Sequence, residues 1–222
     1  IFGGRPTHHG ANATVTQAGW PVGAFYLIKT AGIFQSQEEV EAHSANGQLI
    51  QPNAKPGDIR FIDANGDGRI DQNDRQYVGS PTPKFSFGLG GNAQWKNIDI
   101  NLFFQGTYGN KIYNGLRQDL EGMSAEFNYA KSTLNACTPE NTNTDIPRAV
   151  INDPNLNSQT SDRFLENGSY LRLRTLQMGY TFPETLSERL KISKCRIYVS
   201  FDNVFTITKY KGYNPDLGRT GS

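Results

Sequence analysis

Between Phe61 and Gly79 the chain reads FIDANGDGRIDQNDRQYVG, with oxygen-bearing side chains at Asp63, Asn65, Asp67, Asp71 and Asp74 around Gly68. The spacing follows the calcium-loop pattern D-x-[DN]-x-[DN]-G-x5-E, with Asp74 in the last position. Calcium is a hard ion that takes roughly 6–8 oxygen ligands, and alternate side chains on a tightly wound loop converge on it. Asp63, Asn65 and Asp67 are the expected side-chain ligands, Arg69 offers its backbone carbonyl, and Asp71 acts directly or through water. Gly68 permits the sharp turn, and Ile70 is the expected apolar anchor. Asp74 replaces the usual bidentate Glu with a shorter arm, which makes it the weakest member of the set. The competing reading is an Asx-rich turn, because NGDG is a strong turn signal by itself. No long helices flank the loop, so a structural staple is expected rather than a sensor.

Other chemistry is sparse. His8 and His9 are adjacent and near the start of the chain, His43 falls in an expected short helix, and neither HExxH nor GxSxG occurs. Glu38 and Glu39 read as solvated helix charges, so no enzyme is expected. A cohesin-binding dockerin would need a second copy of the calcium repeat with helices, and the sequence holds a single copy. Cys137 and Cys195 form no CxxC pair, which leaves a disulfide and two free thiols both open. A net charge of +1 over 222 residues gives no electrostatic case for nucleic acid. Apolar residues make up only 36%, yet aromatics reach 11%, too many for a disordered chain. No apolar run approaches the roughly 18 residues of a membrane helix, although barrel strands need none. The ends, IFGG and DLGRTGS, read as cuts, so a fragment of a larger chain is expected.

The elements that must position the loop follow from periodicity. In FSFGLGGNAQW the residues Phe85, Phe87, Leu89, Gly91, Ala93 and Trp95 alternate with small or polar ones. A two-residue KN turn leads to IDINLFFQGTYGN, where Ile98, Ile100, Leu102 and Phe104 alternate with Asp99, Asn101 and Gln105. A polar stretch from about Lys111 to Gly168 follows, longer than a compact domain tolerates without a purpose. SYLRLRTLQMGYTF resumes a strand, and its parity shift between Leu173 and Leu176 predicts either a bulge or a segment lying above any membrane. CRIYVSFDNVFTI keeps Ile197, Val199, Phe201, Phe205 and Ile207 on one parity, interrupted by Asn203. Upstream, PVGAFYLIKTAGIF holds one or two strands, and Ser36 with Glu39 marks a helix start.

Connections alternate between long and short, and the strands exceed the globular mode of about 5–6 residues. That combination describes an outer-membrane barrel, with aromatics near the strand ends (Trp95, Tyr108, Tyr113, Tyr170, Phe182, Tyr210, Tyr213) as interfacial girdles. Four strands cannot close a barrel, so the remainder must come from outside this sequence. The expected architecture is all-β: residues 1–83 form an extracellular loop region, and residues 84–222 about four membrane-spanning strands with their loops. The alternative is a secreted or surface calcium-stabilised β-sandwich, an adhesin or carbohydrate-binding module.

A series of motifs in order carries a resemblance. PGDIRFIDANGDGRIDQNDRQYVGSPTPKFSFGL, IDINLFFQGTYGNKIYN, NGSYLRLRTLQMGYTFP and RIYVSFDNVFTITKYKGYNPD together resemble the C-terminal portion of the SusC/RagA family of TonB-linked outer-membrane transporters. VGAFYLIKTAGIFQSQEEVEA extends the match towards the start. The resemblance implies part of a large barrel with a plug, a TonB-contact segment and a SusD-like lipoprotein lid, importing oligosaccharides or peptides. The plug and TonB contact are absent from this sequence. It also implies outer-membrane lipid around the strands and a structural calcium in the loop at Asp63, Asn65, Asp67, Arg69, Asp71 and Asp74, on the extracellular side. Substrate contacts are expected at Tyr108, Tyr113 and Tyr129, whose faces stack on sugar rings. The competing role for these tyrosines is girdle or loop packing.

Overall fold

A computed structural model describes residues 12–124, 128–189 and 191–216; His8 and His9 lie outside them. In chain order the elements are β1 (Thr14–Val15), β2 (Ala24–Ile28), β3 (Thr30–Ile33), α1 (Gln37–Ala42), β4 (Ser44–Ala45), β5 (Gln48–Leu49), β6 (Ile59–Phe61) and β7 (Arg75–Gly79). Then follow β8 (Phe85–Trp95), β9 (Ile98–Tyr108), β10 (Lys111–Tyr113), α2 (Gly115–Leu120), β11 (Leu165–Asn167), β12 (Tyr170–Thr181), α3 (Glu184–Arg189) and β13 (Arg196–Thr208). Among the described residues no helix is long and apolar enough to cross a membrane, which says nothing about crossing by strands.

Two compact units result. One combines residues 12–82 with residues 111–166, and the other combines residues 83–110 with the chain from 167 onwards. The long polar stretch thus folds with the N-terminal segment, whereas the sequence reading grouped it with the strands at 84–222. Its local pattern gives no hint of that partnership, because the groups that hold it lie far away in sequence.

The second unit is one antiparallel sheet in the order β13-β12-β9-β8. Directly opposed residues share a face, so the register sorts every side chain. Trp95, Ile98, Tyr180 and Ile197 form one row, and Ala93, Ile100, Met178 and Val199 the next. Leu89, Phe104, Leu173 and Phe205 continue the same face. The other face carries Gln94, Asp99, Gly179 and Tyr198, then Asn92, Asn101, Gln177 and Ser200. Pairing on β12 skips from Leu173 to Thr175, and on β13 from Asp202 to Phe205. The first bulge explains the parity shift in the sequence. The second contains Asn203 in the left-handed region at φ 53°. Both keep the apolar set on one face. At Gly106 the Phe87 ring and the Tyr170 carbonyl occupy the space a Cβ would need.

The first unit is held differently. A three-stranded sheet β1-β2-β7 and the pair β3-β6 enclose small clusters, one of Ile28, Ile33, Ile59, Phe61 and Cys137, another of Ala13, Phe25 and Leu27. Both cysteines are free. Helix α1 starts as expected: the Ser36 side chain accepts from the Glu39 N–H, although the Glu39 carboxylate reaches back to Gln35 N–H rather than to Ser36.

Buried polar groups join the distant segments of this unit. Asp58, fully buried, takes Arg148 Nε at 2.7 Å and Nη2 at 3.0 Å, Asn157 Nδ2 at 2.9 Å and the Lys55 N–H at 2.9 Å. Asn155 and Gln51 extend this network to the Ile59 carbonyl. Asp58→Ala strands the Arg148 guanidinium among buried amides, a loss of about 3 kcal/mol. In the full chain, hydrogen exchange should accelerate at residues 55–61 and 146–157 together. Wild-type protection in either segment would contradict this account.

Candidate functional site

The loop between β6 and β7 winds through Gly66 and Gly68, both left-handed at φ 76° and 83°. Asp63 accepts from the Gly66 N–H at 2.7 Å and from the Gly68 N–H at 2.8 Å. Partial desolvation opposes ionisation of Asp63, but the N–H groups of Gly68, Gly66 and Asp67 outweigh it and hold the carboxyl below its ordinary value. Asp67 Oδ1 accepts from the Arg69 N–H at 3.0 Å, and Asp67 Oδ2 accepts from Asn65 Nδ2 at 2.9 Å. Asp71 caps the 3-10 turn Gln72–Asp74. Asp74 is fully buried and closes the loop, taking the Ala64 N–H on Oδ1 and the Asp71 N–H on Oδ2 at 2.8 and 2.7 Å. Ile70 packs on the Ile28–Phe61 cluster, the anchor that the sequence called for.

The donors are all hard oxygens, and each carboxylate oxygen holding one N–H keeps a further acceptor direction. By chemistry the set suits calcium. Its side chains nonetheless serve the backbone as they stand, and among the described residues no three acidic, His or Cys side chains converge on one point. Asp74, which stands where the calcium-loop pattern has a longer Glu, is the buried residue that closes the turn.

The three tyrosines have different surroundings, Tyr108 in the second unit and Tyr113 and Tyr129 in the first. Tyr108 stands at the end of the apolar sheet face, its ring stacked on Phe85 with centroids 5.3 Å apart. Tyr113 packs against the Ala13–Leu27 cluster and donates to Gln118 Oε1 at 2.7 Å, and burial raises the pKa of its hydroxyl. Tyr129 is half-buried ahead of the 3-10 turn Lys131–Asn135. The first two placements favour packing roles.

Sequence reasoning missed the polar clusters. Arg117 and Arg163 share Glu121, at 2.9 and 3.1 Å, inside the first unit. Burial chiefly draws Arg163 down to about 10, with Glu121 opposing. On the polar sheet face, Arg196 pairs with Asp99 at 2.5 Å across β12, where Gly179 leaves the space clear. Arg172 reaches Thr206, Asn214 and Asp216. Apart from the i,i+4 pair Arg117–Glu121, these partners are remote in sequence, so no local signal marks them.

Strands of 11 to 13 residues with one apolar and one polar face define a segment of an antiparallel transmembrane barrel. No family model matches the chain. Over 202 residues it is 34% identical to TonB-dependent receptor P3 of Formosa agariphila, covering 91% of this chain and 19% of that protein. It is 26% identical over 171 residues to TonB-dependent receptor SusC of Bacteroides thetaiotaomicron, covering 77% of this chain and 16% of that one. Among solved structures, the RagAB peptide transporter matches 93% of this chain and 21% of its own, with a TM-score of 0.71 and 26% identity. These similarities identify the chain as SusC/RagA-like, of the TonB-dependent outer-membrane type. It spans about a fifth of the length of the curated relatives it matches.

Asp74→Ala removes the acceptors that close the loop, whatever the ion content. Amide exchange at residues 64–71 should rise at least tenfold, a loss of about 1.4 kcal/mol or more in local opening. Unchanged exchange there would show that the turn holds without Asp74.

Proposed function

We propose that the chain forms part of the wall and surface loops of a transporter that imports oligosaccharides or peptides across the outer membrane with a SusD-like lipoprotein. The observation that supports this best is the register of the four-stranded sheet. Its uniformly apolar face, with Trp95, Leu89, Val199 and Ile207 all exposed, suits lipid hydrocarbon, and its polar face suits a lumen. A β-sandwich would bury that face against a second sheet. TonB would act through parts of the protein beyond this sequence. The work is binding and conveyance, with no bond made or broken in the cargo.

On this reading the loop at 63–74 lies outside the cell and holds a structural calcium. Asp63, Asn65, Asp67, Asp71 and Asp74 with the Arg69 carbonyl would be its ligands. The ion would supply positive charge to offset crowded carboxylates, and this chain's own hydrogen bonds and the Ile70 anchor set the loop's path. Tyr129 remains the candidate cargo contact of the three tyrosines.

Deleting the gene for the full protein should abolish growth on its cargo as sole carbon source, and deleting a neighbouring lipoprotein gene should reduce it. A full chain recovered from the soluble fraction without detergent, as a stable monomer, sinks the proposal in favour of the adhesin. For the ion, EDTA should lower the melting temperature of wild type by several degrees, and Asp63→Ala should already melt there in calcium. A calcium-loaded variant melting with untreated wild type would refute the staple.

A further inference from the structure

In the first unit, β7 is the last strand of its sheet, and a cleft of about 420 Å³ opens beside it. Tyr77 and Gly79 of β7, Lys29, Lys111, Asp162 and Leu165 line it. This volume falls in the range of small-molecule sites, roughly 300–1,000 Å³. We propose that the cleft binds an acidic saccharide, gripping the carboxylate of a uronic acid between Lys29 and Lys111 while Tyr77 stacks on the ring. The inference deepens the transporter reading and rests on it for the biological role, but not for the binding itself.

The cleft is rich in positive charge. Both lysines are half-buried, and among the described residues neither forms an ion pair or a side-chain hydrogen bond. Asp162 is close enough to feel Lys29, yet its Oδ1 is occupied by the Thr30 N–H at 2.9 Å and the Thr30 hydroxyl at 2.8 Å. Two lysines and one aspartate thus line the cleft, which leaves it a surplus positive charge. Partly desolvated ammonium groups that outnumber the nearby carboxylate favour a further anion, and a ligand carboxylate offers charge-assisted hydrogen bonds.

Lys111 lies across Gly79: a Cβ at Gly79, which sits at φ 141°, would come within 2.8 Å of Lys111 Cγ. Glycine here is what lets the lysine stem reach the cleft. The Lys111 N–H is bound to the Ser80 carbonyl at 2.8 Å, just past the end of β7, which fixes the start of β10 beside the cleft. Tyr77 is exposed and its ring meets Trp20 at a tilt, with ring centroids 5.4 Å apart, and Trp20 also meets Tyr26 at 5.7 Å. An exposed aromatic face beside paired cations matches a sugar ring with an acid group better than a peptide backbone.

The test uses the full transporter in detergent and calorimetric titration with a galacturonate tetrasaccharide, its methyl ester, and a tetrapeptide with a free C-terminus. The acid should bind at least tenfold tighter than the ester. Lys29→Gln and Lys111→Gln should each weaken the acid roughly tenfold and leave the ester unchanged. Asp162→Asn should tighten the acid severalfold, a gain that a merely structural aspartate would not produce. Tyr77→Ala should weaken both forms. Equal affinity for acid and ester, or lysine variants that bind the acid like wild type, overturns the proposal. Lysine-dependent binding of the peptide alone also overturns it. Cargo uptake that persists alongside any of these negative results leaves the transporter reading standing.

Discussion

Side chains in a strand alternate with a period of two, and the four-stranded sheet admits no freedom in how that period is used. A one-residue slip would exchange Trp95, Leu89 and Phe87 for Gln94, Asn92 and Ser86 on the face that meets hydrocarbon. The rest of the second unit follows from avoiding that exchange. Its two bulges absorb the irregularities of β12 and β13 so that Leu171 and Leu173 share a face with Leu176, Met178 and Tyr180. Gly88 and Gly90, on the opposite face, leave room for the Phe103 ring.

The first unit solves a different problem. With few aliphatic residues, its segments are joined through buried carboxylates, amides and arginines. Asp58 links the turn after Lys55 to Arg148 and Asn157, and Glu121 gathers Arg117 and Arg163. Such networks are worth having only when nearly every member is satisfied, and they specify one arrangement of loops more narrowly than apolar contact does. Loops that must present a fixed surface to water gain most from that kind of cohesion.

Within this framework the acidic loop has two layers of meaning. Its hydrogen bonds already define a complete turn, with Asp63 and Asp74 holding backbone N–H groups from opposite ends. An ion would strengthen a path the chain has chosen, which fits a staple and not a switch.

How much was legible in the sequence depended on the range of the interaction. Alternation in FSFGLGGNAQW and IDINLFFQGTYGN determined two strands, their turn and their apolar face, because those rules act between neighbouring residues. Parity even located the bulge beside Arg174. The ligand types and Gly68 defined the loop, and Ile70 its anchor. Only the tertiary structure decided that residues 111–166 fold with the N-terminal segment, that Asp74 serves the backbone first, and that Lys29, Lys111 and Asp162 share a cleft. The partnership of 111–166 with the N-terminal segment and the making of the cleft rest on contacts between groups 90 or more residues apart, such as Asp58 with Arg148 and Thr30 with Asp162. A local pattern cannot encode them, since the energy that selects each pair exists only once the chain has closed the distance.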